Sequence, residues 1–301
     1  MASEGVTLVP AAQATSRTAA RSSQSRVGAA VWYTGASILA VIFFFPFFWT
    51  VSTSLKQVSE LFQYPPGLFP AVPQWKNYAT VLQTVPYLLW VKNSATVVVL
   101  VTLGVILTAS IVAYSFARFD YRGKNLFFLI TLATLMLPAQ ITLIPQFILF
   151  NQLGWVNTLL PLWVPSWFGG GAFYIFLLRQ FFMSLPHELD EAALIDGANY
   201  WQIFWRVLLP LSRPALATAA VIAFIGSWDD FLTPLIYLNS GSKFTVAIGL
   251  NFFRNVPEEA GVPMQHLLMA ASVMAVIPPM LVFFLAQRYF TEGIVLSGIK
   301  G

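Results

Sequence analysis

Fifty-four consecutive residues, 125–178, carry no charge. Three further uncharged runs lie between Arg26 and Lys56 (29 residues), Lys92 and Arg118 (25) and Glu259 and Arg288 (28). A helix crossing about 30 Å of hydrocarbon needs roughly 20 apolar residues. Each shorter run therefore accommodates one span. The longest accommodates two, joined by the turn-like FNQLGWVNT at 150–158. A sixth apolar stretch, from about Pro214 to Leu238, alone contains acids, Asp229 and Asp230. With 57% hydrophobic and only 9% charged residues, a soluble fold would expose large bare apolar patches. The runs do not alternate polar and apolar residues as barrel strands would. The predicted fold class is an all-α integral membrane protein with six transmembrane helices.

The remaining composition removes several functions. Cysteine is absent, and the two histidines, His187 and His266, are far apart, so no metal centre is expected. No GxxxxGK[ST] phosphate loop occurs, so the chain is not expected to bind ATP or any other cofactor itself, nor to be an enzyme. The net charge of +4 reads as membrane topology rather than nucleic-acid binding. With both ends on one side of six spans, 11 of the 16 Lys and Arg fall on that side, which makes both termini cytoplasmic. Residues 1–28, rich in Ala, Ser, Thr and Arg, are expected to be a disordered cytoplasmic segment. Residues 29–290 form the membrane domain, with a polar loop at 183–213, and 291–301 a cytoplasmic tail.

Prolines lie within or beside five of the six spans, at 46, 138, 145, 161, 165, 234 and 278–279. Each interior proline frees a carbonyl four residues back, and in lipid that carbonyl needs a neighbouring helix, a polar side chain or a cavity. The pattern suggests a bundle around a pathway. Intramembrane acids usually face such an interior. Asp229 and Asp230, with Trp228 and Phe231 beside them and Pro234 following, are candidate pathway residues, and Gln140 and Gln146 are weaker ones. Either acid has another available role, tying helices together or reaching interfacial water. The Gly169-Gly170-Gly171 run suggests close packing or a bend.

The polar stretch ELDEAALIDGANYWQIFWRVLLPLSRP (188–214) holds six charges between apolar runs. SLP at 184–186 suggests a helix start, and Glu188, Asp190 and Glu191 crowd the first turn, where the helix dipole favours them. Leu189, Ala192, Ala193 and Ile195 supply an apolar face, and Gly197 stands where a left-handed cap ends the helix. A second helical piece, NYWQIFWRVL, leads through Pro210 and Pro214 into span five. On the residues alone, this unit is either an amphipathic helix on the inner leaflet or a docking surface. Its acids disfavour the leaflet.

The spacing Glu191-Ala192-Ala193, three residues, Gly197, nine residues, Val207-Leu208-Leu209-Pro210 resembles the EAA loop of ABC-importer membrane subunits. ARFDYRGK, MLPAQITLIPQF, FLLRQFFMSLPHELDEAALIDGA, FIGSWDDFLTPLIYL and the terminal GIKG are similar to the carbohydrate-uptake (maltose-type) branch. The resemblance implies a permease subunit of the bacterial inner membrane. Its coupling helix, carrying Glu191, Ala192, Ala193, Asp196, Gly197, Leu209 and Pro210, lies between spans four and five and docks on an ATPase. It also implies a homologous second permease, two ATPase subunits holding ATP and Mg, and an extracytoplasmic solute-binding protein. Tail residues Gly298 and Lys300 would reach the ATPase pair. Where the family often has Trp-Asn-Asp or Trp-Asn-Glu, this chain has Trp228-Asp229-Asp230. Sugars, glycerol phosphate and other solutes stay open, as do an ion-coupled transporter and a scaffold without transport.

Overall fold

In the structure, a computed structural model, the described residues are 12–254 and 264–298, and none of them is in a strand. α1 (Ala12–Ser54) is followed by α2 (Lys76–Thr84), the short outer helix expected near 75–85. α3 (Tyr87–Gly104) continues through a π-helical turn (Val105–Ala109) into α4 (Ser110–Arg118). Next come α5 (Lys124–Ala133), α6 (Ala139–Gln152), α7 (Leu160–Trp163) and α8 (Ala172–Ser184). The polar loop holds α9 (Glu188–Ile195), α10 (Tyr200–Ile203), a π-helical turn (Phe204–Leu208) and α11 (Leu209–Leu211). α12 (Arg213–Trp228), α13 (Leu232–Tyr237), α14 (Val246–Arg254) and α15 (Gln265–Gly298) complete the order.

Four stretches are long and apolar enough to cross a membrane: Gly28–Ser54, Tyr87–Arg118, Leu160–Ser184 and Gln265–Gln287. Two bent pairs qualify if each counts as one span, Lys124–Met136 with Gln140–Gln152 (99°) and Tyr200–Leu211 with Arg213–Trp228 (78°). The structure thus holds four to six candidate spans. α1 reaches back to Ala12, into the segment whose composition gave no reason for order. Extending a helix already begun by a span costs far less than nucleating one.

The prolines divide into two kinds. Pro46, Pro145, Pro278 and Pro279 lie inside continuous helices. Pro138, Pro161, Pro165, Pro210 and Pro214 stand at helix starts, and Pro234 lies in the first turn of α13, where a missing N–H costs little.

Two buried apolar clusters organise the bundle. One joins α3, α12, α14 and α15 around Trp90, Val98, Trp228, Val246 and Ala271. The other joins α4, α8, α12 and the polar loop around Tyr114, Leu178, Phe182, Phe204 and Leu208. Between them, the stretch Leu160–Ser184, span four of the expected six, is broken by Gly169, Gly170 and Gly171, all at positive φ (97°, 69° and 98°). A Cβ on Gly170 would lie 2.8 Å from Ala109 Cβ and 3.0 Å from the Val105 carbonyl oxygen, so this glycine also seats span four against the π-turn of Tyr87–Arg118, span two of the expected six.

Gly154 has the same φ of 69° but open space around its Cβ position. Gly154→Ala is therefore expected to cost about 1–2 kcal/mol, the left-handed backbone term alone. Gly170→Ala adds about 1–3 kcal/mol of overpacking. Thermal unfolding of the two variants in detergent measures the difference, and equal losses would refute the close approach.

Candidate functional site: the polar loop and the acidic break

α9 is an eight-residue helix that begins at Glu188, later than the sequence suggested. Ser184 closes α8 instead, donating from Oγ to the Phe181 carbonyl. The far end follows expectation. Gly197 adopts φ +82°, its N–H donates to the Leu194 carbonyl (3.0 Å), and the Ala198 N–H donates to the Ala193 carbonyl (2.9 Å). That pair of bonds is the Schellman closure a glycine makes possible. A Cβ at Gly197 would meet nothing within 4 Å, so the glycine is required by backbone conformation and not by space. Asn199 then opens the next piece with a capping box: its Oδ1 accepts from the Gln202 N–H, and Gln202 Oε1 accepts from the Asn199 N–H.

The faces of α9 differ from the expected apolar side. Leu189, Asp190 and Ala193 are half-buried, whereas Glu188, Glu191, Ala192, Leu194 and Asp196 are exposed, and Ile195 is 86% exposed. Ala193 packs on the cluster around Phe182 and Phe204, while Ala192 looks outward. The exposed face therefore carries three acids, Glu188, Glu191 and Asp196, beside small and branched apolar residues. Leu209 is half-buried and packs on the same cluster, and Pro210 is exposed at the corner before α12. That corner bends by 78°, and a π-turn precedes it, so the second piece is not one straight rod running into span five.

Sequence reasoning counted Arg118 only as a topology charge. Its Nε lies 3.1 Å from Asp190 Oδ2, with both side chains largely buried (3% and 14% exposed), and its Nη2 donates to the Leu185 carbonyl (3.1 Å). Burial pushes the Asp190 carboxyl up from its usual range, with Arg118 and then His187 pulling it back. No signal in the sequence links the two, which lie 72 positions apart.

The acidic pair breaks the helix, as expected: α12 ends at Trp228 and α13 begins at Leu232. The two acids then part ways. Asp230 Oδ1 accepts the Thr233 N–H (3.1 Å), satisfying one amide at the start of α13. Asp229 is exposed and lines a cavity of about 330 Å³ with Trp228, Val246, Ala247, Leu250, Ser272, Val276 and Pro279. Trp228 is 5% exposed, and its Nε1 donates to the Ala275 carbonyl (3.0 Å), so its main task is to join α12 to α15. Phe231 and Gln140 are exposed and do not line this cavity. Gln146 Nε2 donates to Thr142 Oγ1 (3.3 Å) within α6. No cluster of His, Cys, Asp and Glu able to hold a metal occurs among the described residues. Gly298 is the last residue of α15, and Lys300 lies outside the described residues.

Several membrane-length apolar helices, with a capped polar helix pair between two of them and no strand among the described residues, define a polytopic helical membrane protein with an exposed polar loop. Residues 101–295 match the family described as the binding-protein-dependent transport system inner membrane component, and the chain belongs to that family. It is 33% identical over 270 residues to the arabinooligosaccharides transport system permease protein AraQ of Halalkalibacterium halodurans, covering 89% of this chain and 95% of that protein. The trehalose/maltose transport system permease protein MalG of Thermococcus litoralis matches with the same identity and coverage. The sn-glycerol-3-phosphate transport system permease protein UgpE of Yersinia pestis is 33% identical over 264 residues, covering 85% of this chain and 92% of its own. A crystal structure of a bacterial ABC transporter that imports the acidic polysaccharide alginate contains a chain superposing with a TM-score of 0.80 at 27% identity, over 89% of this chain and 98% of that one. The protein is thus a transport permease subunit.

Asp230→Ala is expected to remove a cap worth about 1 kcal/mol and lower the melting temperature in detergent, whereas Asp229→Ala leaves it within error. Equal destabilisation by both would show that the two acids share one structural role.

Proposed function

We propose that this chain is the six-span permease subunit of a bacterial inner-membrane ABC importer for a sugar or oligosaccharide, with both termini cytoplasmic. It would assemble with a homologous second permease, two ATPase subunits that bind ATP and Mg, and an extracytoplasmic solute-binding protein. The observation that carries the reading is the α9–Gly197–α10 unit, whose outer face is free of the bundle while its inner face is bonded to it. The matches to AraQ, MalG and the alginate importer support the carbohydrate class. In alternating access, closure of the ATPases displaces α9 through Glu191, Ala192 and Asp196, and the bundle reorients around its pathway. Gly298 and Lys300 would extend that contact from the tail.

Within the bundle, Asp229 is the residue best placed to meet solute, because a carboxylate accepts sugar hydroxyls and Trp228 offers an apolar face beside it. Similarity to UgpE supports glycerol phosphate as a second reading. Among the described residues, the cavity at Asp229 is lined by no Lys or Arg, which supports a neutral solute.

Co-expression with its partners and reconstitution in liposomes tests the reading. ATP-dependent uptake of an arabino-oligosaccharide, maltose or trehalose is expected, with none for glycerol phosphate. Gly197→Asp and Glu191→Lys are expected to abolish uptake while the chain still inserts. Gradient-driven uptake by this chain alone, indifferent to ATP, would overturn it.

A further inference from the structure

Displacement of α9 has two routes into the bundle. Along the chain, the route to α12 passes a π-turn and a 78° bend. Across the fold, it passes through the inner face of α9, where Leu189, Asp190 and Ala193 are half-buried. Of these side chains, Asp190 alone carries a charge, and it goes to Arg118 at the end of α4. The same guanidinium holds the Leu185 carbonyl in the turn before α9. One turn back on α4, the Tyr114 hydroxyl donates to the Tyr200 carbonyl (3.1 Å), at the start of α10. α4 therefore grips the polar unit at both ends. α8 is tied to the same turn, because Arg179 Nε donates to the Phe116 carbonyl (3.2 Å) and its guanidinium stacks 4.0 Å from the Phe128 ring centre.

The Arg118–Asp190 pair is close but single-pointed. Arg118 Nε and Nη1 and Asp190 Oδ1 are all buried without hydrogen bonds, so the 3.1 Å approach is an ion contact and not an aligned hydrogen bond. Unaligned donors on one side and a spare carboxylate oxygen on the other leave the pair room to form a charge-assisted hydrogen bond as α9 shifts.

We propose that Arg118 is a positioning residue that delivers displacement of α9 to span two, so that α4, α8 and α9 travel as one body. The source of the displacement rests on the importer reading. The joint is a property of this chain.

The chain has no cysteine, so single labels are straightforward to place. Spin labels at Lys92→Cys and Glu188→Cys, both exposed, report the distance between the far end of span two and α9. Twenty-six helical steps separate Lys92 from Arg118, so the labels lie on the order of 40 Å apart. It is measured by pulsed electron resonance on the co-purified complex in lipid nanodiscs, nucleotide-free and with ATP plus EDTA. A narrow distribution, shifting by less than about 2 Å between the two conditions, is expected for the parent. Arg118→Gln and Asp190→Asn are each expected to broaden it at least twofold. The exchange Arg118→Asp with Asp190→Arg is expected to narrow it again. Widths equal to the parent's in the single variants, or no recovery in the exchange, would overturn the joint. If Arg118→Gln does not assemble, the isosteric Asp190→Asn carries the same comparison. A parent complex that neither binds nor hydrolyses ATP would count against the importer reading, while the nucleotide-free widths still decide the joint.

Discussion

Every interruption of a helix inside hydrocarbon leaves amides and carbonyls that lipid cannot satisfy, at several kcal/mol each. Much of this fold follows from how those groups are bonded. Where span four is broken, Trp167 Nε1 donates across to the Leu100 carbonyl, and Thr108 Oγ1 donates to the Ser166 carbonyl. Where the chain leaves α13, Trp90, Asn93 and Ser94, one face of α3, bond to the backbone of Gly241, Ser242, Phe244 and Val246. Asn157, itself at φ 60°, accepts the Asn239 and Ser240 N–H groups and donates to Ser240 Oγ. Tryptophan and asparagine serve as cross-links between helices because the indole brings a donor, and the amide a donor or an acceptor, to backbone that would otherwise lack a partner.

The same rule explains why two neighbouring acids have different work. Once α12 stops at Trp228, the first amides of α13 need an acceptor, and Asp230 is positioned to supply it. Asp229 is left free of that duty and faces the cavity between α12, α14 and α15. In the polar loop, the demands are met locally by Gly197 and by the Asn199–Gln202 capping box. That leaves the side chains of α9 exposed on one face and turned toward Arg118 on the other.

Several of these features were legible before any coordinates. Uncharged runs located the apolar helices, and Gly197 announced the end of α9 because only a residue tolerant of φ +82° closes a helix that way. Pro210 and Pro214 marked the passage from the polar loop into the following apolar helix, and each stands in the first turn of a helix. The inward face of α9 was not legible. An eight-residue helix with acids and apolar residues all round has no clear period, so Ala192 and Ile195 read as core when they are exposed. Arg118 was invisible as a partner for Asp190 because the two lie 72 positions apart and nothing local connects them.

The sequence by itself determined a helical membrane protein, the place of its polar loop and the family of that loop, because hydropathy, proline, glycine and motif spacing act over short stretches. Only the tertiary structure decided which acid caps and which lines a cavity, which face of α9 is free, and that Arg118 grips it. Those outcomes depend on which distant backbone groups arrive unsatisfied beside each side chain, and that is settled when the helices pack.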